Sequence, residues 1–240
     1  MKNIIITSIA LLITITCTKA QEKIHFKIKP EIGKNIKYEL TTTSEMEGEG
    51  KIMDMSMGLS YKPTSIQMDT ISLDILFTHF KINMDMMGLN YDSTKQSTDE
   101  SSKEIEKEIK PLFETPTSVK INTSGKVVEK PETSADNVLV GNISLDNFSI
   151  AFPDKPVSLG ESWDSEIFYQ QTGRTVPIKY TYVETNMEGH RLKSEVLLDN
   201  QLMSGYVIIN PKTHLVDKSY MELNNPQVKL KVIVNAHVVQ

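Results

Sequence analysis

Methionine is concentrated in the first half of the chain. Its sulfur can bind a metal, and its side chain can fill space in an apolar core. Eight of the twelve methionines lie between Met46 and Met87. Three of them alternate from Met53 to Met57, so their side chains share one face of a predicted strand. Thioether sulfur suits Cu(I), but methionine also fills irregular apolar space, and a stripe of period two is typical of a core or a cavity wall. We therefore predict a packed core or an apolar ligand cavity, with no metal and no cofactor.

Trp163 is the only tryptophan in the chain, and it follows a turn rich in proline and glycine. Its large ring can stack on a ligand or anchor the core. Together with the methionines it completes the set of residues predicted to contact an apolar ligand. That set is Met53, Met55, Met57, Met84, Met86 and Trp163.

The residues that commonly perform catalysis do not form a recognisable pattern. The five histidines are scattered through different predicted elements, with no spacing typical of metal ligands. The segment Gly160-Glu161-Ser162-Trp163-Asp164 lacks the closing glycine of a hydrolase nucleophile elbow, and a predicted strand follows it where the elbow requires a helix. We therefore predict a non-enzymatic protein with no catalytic residues. An enzyme, such as a hydrolase, whose residues meet only in three dimensions stays open as an alternative.

One short motif indicates a covalent modification. Asp92-Ser93-Thr94 is similar to the O-glycosylation signal of exported Bacteroidota proteins. It opens a polar stretch at 91–103 that is rich in Ser and Thr and is predicted to be an exposed loop. We therefore predict modification of Ser93.

Alternation of apolar and polar residues is the strongest structural signal. It predicts a strand at 23–29 and further strands from Ile36 to Met86, with a phase slip near Phe77 that indicates a β-bulge. A hairpin is predicted to turn at Ser124 and Gly125. Short turns separate six more predicted strands in the C-terminal half. These six are 163–169, 177–184, 191–199, 205–210, 215–223 and 228–239.

Helical spacing is confined to the middle of the chain. Ile105 and Ile109 share one face of a helix predicted at about 102–113, and Ser101 and Glu104 have the spacing of a capping box. A second short helix is predicted at 135–140. Because helices do not alternate with the strands, the sheet is expected to be antiparallel. The predicted fold is mainly β (α+β), with a curved antiparallel sheet or open barrel and one or two helices packed on it.

Composition excludes several classes of protein. The chain has 240 residues, of which 39% are hydrophobic, and a formal net charge of −5 at pH 7. A protein that binds nucleic acid or an anionic membrane surface needs a cationic face, which this balance does not favour. The apolar content also argues against intrinsic disorder. We therefore predict a globular protein that does not bind nucleic acid.

The first twenty residues have the pattern of a secretory signal peptide. Lys2 precedes an apolar run that starts at Ile4, and small residues then stand before a predicted cut between Ala20 and Gln21. The run is shorter than the roughly 20 residues that cross a bilayer, so no transmembrane helix is predicted in the mature chain. Residues 21–240 are predicted to form a single domain in the periplasm or outside the cell. Alternatively, lipidation of Cys17 would retain the protein on a membrane.

Three segments carry a resemblance to a known family. Tyr91-Asp92-Ser93, Ser124-Gly125-Lys126-Val127-Val128 and the run from Pro153 to Trp163, PDKPVSLGESW, resemble an uncharacterised family of exported Bacteroidota proteins, a domain of unknown function. The resemblance extends from Ile36 to the C-terminus. It implies export to the periplasm or envelope and a mostly β fold similar to that of bacterial lipoprotein carriers. It implies no functional residues.

These observations lead to a functional hypothesis. The protein is expected to be exported and to bind an apolar small molecule, a lipid or an envelope protein without catalysis. The main alternative is a structural or interaction protein of the cell envelope with a fully packed core. A cavity of at least about 300 Å³ would favour ligand binding, and a dense core would favour the alternative.

Overall fold

The computed structural model describes residues 23–129, 150–169, 174–198, 200–225 and 228–238. The predicted signal peptide, with Cys17, Ala20 and Gln21, lies outside these residues, and so does the short helix predicted at 135–140. In the described part of the chain, no helix is long and apolar enough to cross a membrane.

The described residues form twelve strands, one α-helix and one 3-10 turn. The strands of the first half are β1 (Ile36–Met46), β2 (Gly50–Gln67), β3 (Thr70–Met84), β4 (Leu89–Asp92), β5 (Thr117–Asn122) and β6 (Val127–Glu129). Those of the second half are β7 (Ser162–Tyr169), β8 (Arg174–Asn186), β9 (Gly189–Leu198), β10 (Gln201–Ile209), β11 (Val216–Asn224) and β12 (Val228–Val238). The helix is α1 (Glu100–Glu114), and the 3-10 turn is Asp85–Met87.

All strand pairs of the described residues belong to one antiparallel sheet. Its order is β6-β5-β3-β2-β1-β12-β11-β10-β9-β8-β7, and β4 pairs with β3 beside this path. β1 and β12 pair along their whole length, which joins the N-terminal and C-terminal halves of the sheet. The sheet is open, with β6 at one edge and β7 at the other. The prediction of a mainly β fold built on a large antiparallel sheet is confirmed.

The alternation in the sequence places apolar side chains on one face of this sheet, which we call the inner face. In β3, for example, Ile71, Leu73 and Ile75 are fully buried, while the residues between them are half-buried. The predicted bulge is present, because Gly58 pairs with His79 but Leu59 pairs with Phe77. The extra residue restores the inward orientation of the apolar residues on both sides of it.

The two edges of the sheet approach each other through the segment that precedes β7. Phe152 N donates to the carbonyl oxygen of Ser124 in the β5–β6 turn, at 2.7 Å. Trp163 Nε1 in β7 donates to the carbonyl oxygen of Ala151, at 3.1 Å. Residues 151 and 152 therefore connect one edge of the sheet to the other, and the sheet is curled around its inner face.

The predicted strand at 23–29 is wrong, although the segment is extended. Among the described residues, its one strand-like contact is an isolated bridge between Ile24 and Val157. Ile28 N donates to Thr123 O, and Lys29 N donates to Thr213 O, so neighbouring residues bond to different turns. Alternation is real here because every second side chain is buried, but the segment crosses several elements instead of following one strand.

The helix begins earlier than predicted and has a different cap. Asp99, which precedes α1, accepts a hydrogen bond from Ser102 N, so Ser101 is not the N-cap. Ile105 and Ile109 are buried, as their spacing predicted. The predicted loop at 91–103 is shorter in the structure: Tyr91 is buried in β4, and residues 100–103 form the first turn of α1. Aspartate is favoured at the N-cap, because its carboxylate accepts hydrogen bonds from the backbone N–H groups of the first helical turn.

Candidate functional site

A cleft of about 610 Å³ separates the two edges of the sheet. One wall is the β5–β6 turn at 125–127, and the opposite wall is the start of β7 at 163–166 with Thr175 and Pro177 of β8. Residues 151–154 form a third wall. The cleft lies between the sheet edges and not between sheet and helix, since its lining includes no residue of α1, which packs on β3 and β4.

Trp163 stands between the cleft and an aromatic cluster. Its ring centroid lies 5.7 Å from that of Tyr180 and 6.1 Å from that of Phe26. Phe26 also contacts the rings of Phe152, at 5.0 Å, and His214, at 5.5 Å. Burial lowers the pKa of His214, which keeps this imidazole neutral at neutral pH. The indole is therefore anchored on its core side and lines the cleft.

Ser165 places a buried hydroxyl at the cleft. The residue is 9% exposed and lines the cavity, and its Oγ has no hydrogen-bond partner among the described residues. Two further inner-face hydroxyls, on Thr42 and Ser44 of β1, are also buried without such a partner. A buried hydroxyl without a partner costs free energy, so each of these groups is suited to a hydrogen bond from water or a ligand.

The register joins the methionines to Trp163 on the inner face. Successive cross-strand partners form one row across eight strands, from β2 to β7 through β1 and β12. That row is Met55, Thr42, Val232, Met221, Gly205, Ser194, Tyr180 and Trp163. Ser194 Oγ donates to the sulfur of Met221 at 2.8 Å, across Gly205, which has no side chain between them. Two members of the predicted ligand-binding set, Met55 and Trp163, therefore share this row.

The other predicted methionines have different environments. Met57 is fully buried, and Met53 and Met84 are half-buried. Met86 is 64% exposed, because β3 ends at Met84 and the chain continues as a 3-10 turn closed by Gly88 at φ 63°. The prediction that the β3 alternation continues to Met86 is therefore wrong. The structure brings Met53, Met55 and Met57 onto one face and leaves Met86 apart from them.

Ser93, the predicted modification site, is tied to the bulge in β3. Ser93 Oγ accepts a hydrogen bond from Phe80 N at 2.8 Å, and Ser93 N donates to Phe80 O at 2.9 Å. The residue is half-buried, whereas the next residue, Thr94, is exposed. Modification of Ser93 stays a prediction.

One Ser-His-Glu group occurs in the described residues, and its geometry does not match a catalytic triad. His79 Nε2 lies 3.0 Å from Glu39 Oε1 and 3.3 Å from Ser56 Oγ. In a triad the acid and the serine engage different ring nitrogens, so that the imidazole relays a proton between them. Here both partners meet the same nitrogen, and no relay is formed. No group of three His, Cys, Asp or Glu side chains that could hold a metal occurs within the described ranges.

A second groove, of about 710 Å³, lies on the outer face over β8 to β11. The rings of Tyr206 and Tyr220 stack at 5.6 Å, and the guanidinium carbon of Arg191 lies 4.5 Å from the Tyr206 centroid. Tyrosine and arginine are enriched at the centres of protein interfaces. This outer groove was not predicted, because outward residues of several strands become neighbours only through the sheet register.

Among solved structures, lipovitellin and a hypothetical lipoprotein are two of several distant likenesses of fold. No family model and no curated protein matches the chain. Lipovitellin, in a structure concerned with its lipid–protein interactions, is 9% identical with a TM-score of 0.48, and the match covers 88% of this chain and 26% of that chain. The hypothetical lipoprotein YmcC from Escherichia coli K12 is 8% identical with a TM-score of 0.30, over 81% of this chain and 82% of that chain. This chain thus spans about a quarter of the lipovitellin chain, and neither likeness bears on function. Membership of a Bacteroidota family stays a prediction.

Proposed function

We propose that the protein is an exported, non-enzymatic binding protein that takes an apolar ligand into the cleft between the edges of its sheet. The observation that carries this proposal is the cavity of about 610 Å³ lined by Trp163, Phe152 and Val127. Its volume lies in the range of about 300–1,000 Å³ that is typical of small-molecule sites. The Ser165 hydroxyl, which has no hydrogen-bond partner in the part of the chain that the structure describes, would give such a ligand one polar contact.

The inner face of the sheet carries further adaptable apolar surface. Half-buried methionine and leucine side chains, including Met55, Met221 and Leu223, lie on the same face as Trp163. Methionine changes its shape at low cost, which suits apolar ligands of variable length. A long acyl or alkyl chain is therefore the ligand class that we propose.

Fluorescence of Trp163 tests this proposal directly, because the chain has no other tryptophan. The probe is a neutral monoacylglycerol with a brominated chain, and the same lipid without bromine is its control. Bromine quenches only a nearby indole, so we expect saturable quenching by the brominated probe alone. Absence of saturable quenching would refute the proposed site.

A pair of variants on β7 distinguishes binding in the cleft from non-specific binding of the probe to the protein surface. Ser165→Phe puts a large ring into the cleft, and we expect it to weaken binding of the probe at least about tenfold. Ser162→Phe is the matched control, since Ser162 is exposed and points to the outer face of the same strand. Equal binding by the two variants would contradict a ligand in the cleft.

The same titration bears on the alternative of an interaction protein of the envelope. If no lipid probe binds, the outer groove around Tyr206, Tyr220 and Arg191 becomes the leading functional surface. Its exposed neighbour Leu202, at 55%, adds apolar area typical of an interface.

A further inference from the structure

We infer that the cleft selects amphiphiles whose polar end is cationic, such as an alkylamine or a quaternary ammonium lipid. This inference rests on the proposed function and names the ligand class of the same site. Three carboxylates line the cleft, on Asp154, Asp164 and Glu166, and Lys126 supplies a single opposing charge. Three negative charges and one positive charge leave the lining with a net charge of −2.

The three carboxylates are available to a ligand. None of them forms an ion pair with another described residue. Their neighbour Glu161 differs: Lys155 Nζ lies 3.1 Å from Glu161 Oε1, and Ser158 N donates to the other oxygen at 3.1 Å. The backbone hydrogen bond from Ser158, assisted by Lys155, lowers the pKa of Glu161. The negative charge of Glu161, beside the cleft, is thus paired with Lys155 of the same chain. The carboxylates that line the cleft are left for a ligand.

Alternation along β7 places the apolar and the charged groups of the cleft on two sides of the same strand. Trp163 and Ser165 point to the inner face, and Asp164 and Glu166 are exposed on the other side of the same strand edge. An alkyl chain that lies against the indole therefore places its polar end beside two carboxylates. A cationic end group also gains from the face of the Trp163 ring if it stays within about 6 Å.

The buried Ser165 hydroxyl supports a ligand independently of the charges. It is 9% exposed, lines the cleft and has no hydrogen-bond partner among the described residues. A hydroxyl, amide or ester oxygen of the ligand, next to its cationic end group, can accept a hydrogen bond from this hydroxyl. An anionic end group in the same position would face three carboxylates and one lysine, which disfavours it.

The test compares three dodecyl amphiphiles that differ in their end groups: trimethylammonium, maltoside and sulfate. Each displaces the brominated neutral probe from the full mature chain, below its micellar concentration, with far-UV circular dichroism to confirm that the protein stays folded. We expect the trimethylammonium compound to displace the probe at a concentration about tenfold lower than the sulfate, with the maltoside between them. This difference should shrink in about 0.5 M salt, because exposed charges are screened.

Two triple variants show whether the selectivity is local. Asp154→Asn, Asp164→Asn and Glu166→Gln together should abolish the preference for the cation. The matched control, Glu47→Gln, Glu49→Gln and Glu104→Gln, changes the net charge equally at exposed positions outside the cleft and should retain the preference. Equal displacement by all three amphiphiles, or equal loss of preference in both variants, would overturn the cationic inference and leave apolar binding intact. Failure of the neutral probe itself to bind would overturn the proposed function instead.

Discussion

Asp217 is a half-buried carboxyl beside the core. Burial raises its pKa, and a hydrogen bond from Asn210 Nδ2, at 3.0 Å, opposes that change only in part. Its negative charge also contributes to the raised pKa of buried Tyr38. A carboxyl whose pKa is higher in the folded state favours folding below its unfolded pKa. That contribution is lost as the pH rises through the folded pKa.

Replacing Asp217 by a neutral isostere should therefore stabilise the protein at neutral pH. We expect Asp217→Asn to raise the melting temperature by a few degrees at neutral pH and to leave it unchanged in acid, where the parent side chain is already protonated. The asparagine oxygen can still accept the bond from Asn210. Thermal melts at both pH values measure the effect, with the exposed Asp85→Asn as control. A lower melting temperature at neutral pH would show that the charge itself is stabilising.

At the same scale, the sequence identified part of the site. Trp163 could be predicted, because a lone tryptophan after a turn is distinctive and lies in the element that faces the cleft. Ser165, Asp154 and Lys126 could not, because they become neighbours only when the two edges of an eleven-strand path meet. No local pattern in a sequence encodes how far a sheet curls.

The helix shows how one residue sets the limit of an element. Asp99 Oδ1 accepts from Ser102 N at 2.8 Å, and Asp99 Oδ2 accepts from Ser102 Oγ at 2.7 Å. These hydrogen bonds lower the pKa of Asp99, so its charged form is the cap. Ser101, which the capping-box spacing predicts as the cap, lies two positions further along and is exposed.

Substitution of the two candidate caps distinguishes them. Asp99→Ala should lower the melting temperature by a few degrees, because the backbone N–H of Ser102 in the first turn of α1 loses its acceptor. Ser101→Ala should have no such effect, and it removes a hydroxyl from the same turn. The two melts are compared near neutral pH, where Asp99 is charged. Equal effects of both substitutions would contradict the observed cap.

Among the strands, alternation predicts the bounds best where a segment pairs along its length with neighbouring strands. The six C-terminal strands were predicted within a few residues of β7 to β12, and the β3 bulge was predicted from its phase slip. The same signal failed at 23–29, because an extended segment that crosses several elements also buries every second residue. Alternation of apolar and polar residues therefore indicates that one side of a segment is buried. Whether the segment belongs to a sheet depends on a partner strand, which the alternation does not identify.

On the scale of the whole molecule, the segment at 23–30 connects parts of the sheet that the hydrogen bonds between strands do not join. Phe26 and Ile28 are 1% and 2% exposed. Phe26 packs on rings from β8, β9 and the β10–β11 turn, while Ile28 N bonds to the β5–β6 turn near the other edge. The segment thus holds the curled sheet together at one end and supports the wall of the cleft behind Trp163.

Removal of this segment should therefore unfold the protein. Truncating a buried phenylalanine to alanine costs about 3–5 kcal/mol, and a buried isoleucine about 2–5 kcal/mol. Their sum approaches the roughly 5–15 kcal/mol by which whole domains are stable.

We expect a chain that starts at Gly33 to lose cooperative thermal unfolding and to be rapidly proteolysed, whereas a chain that starts at Gln21 melts cooperatively. Phe26→Ala should lower the melting temperature strongly, and Ile32→Ala, at a position 51% exposed, should leave it unchanged. A cooperative melt of the chain from Gly33 at the same temperature as the longer chain would show that the curled sheet holds itself together without this segment.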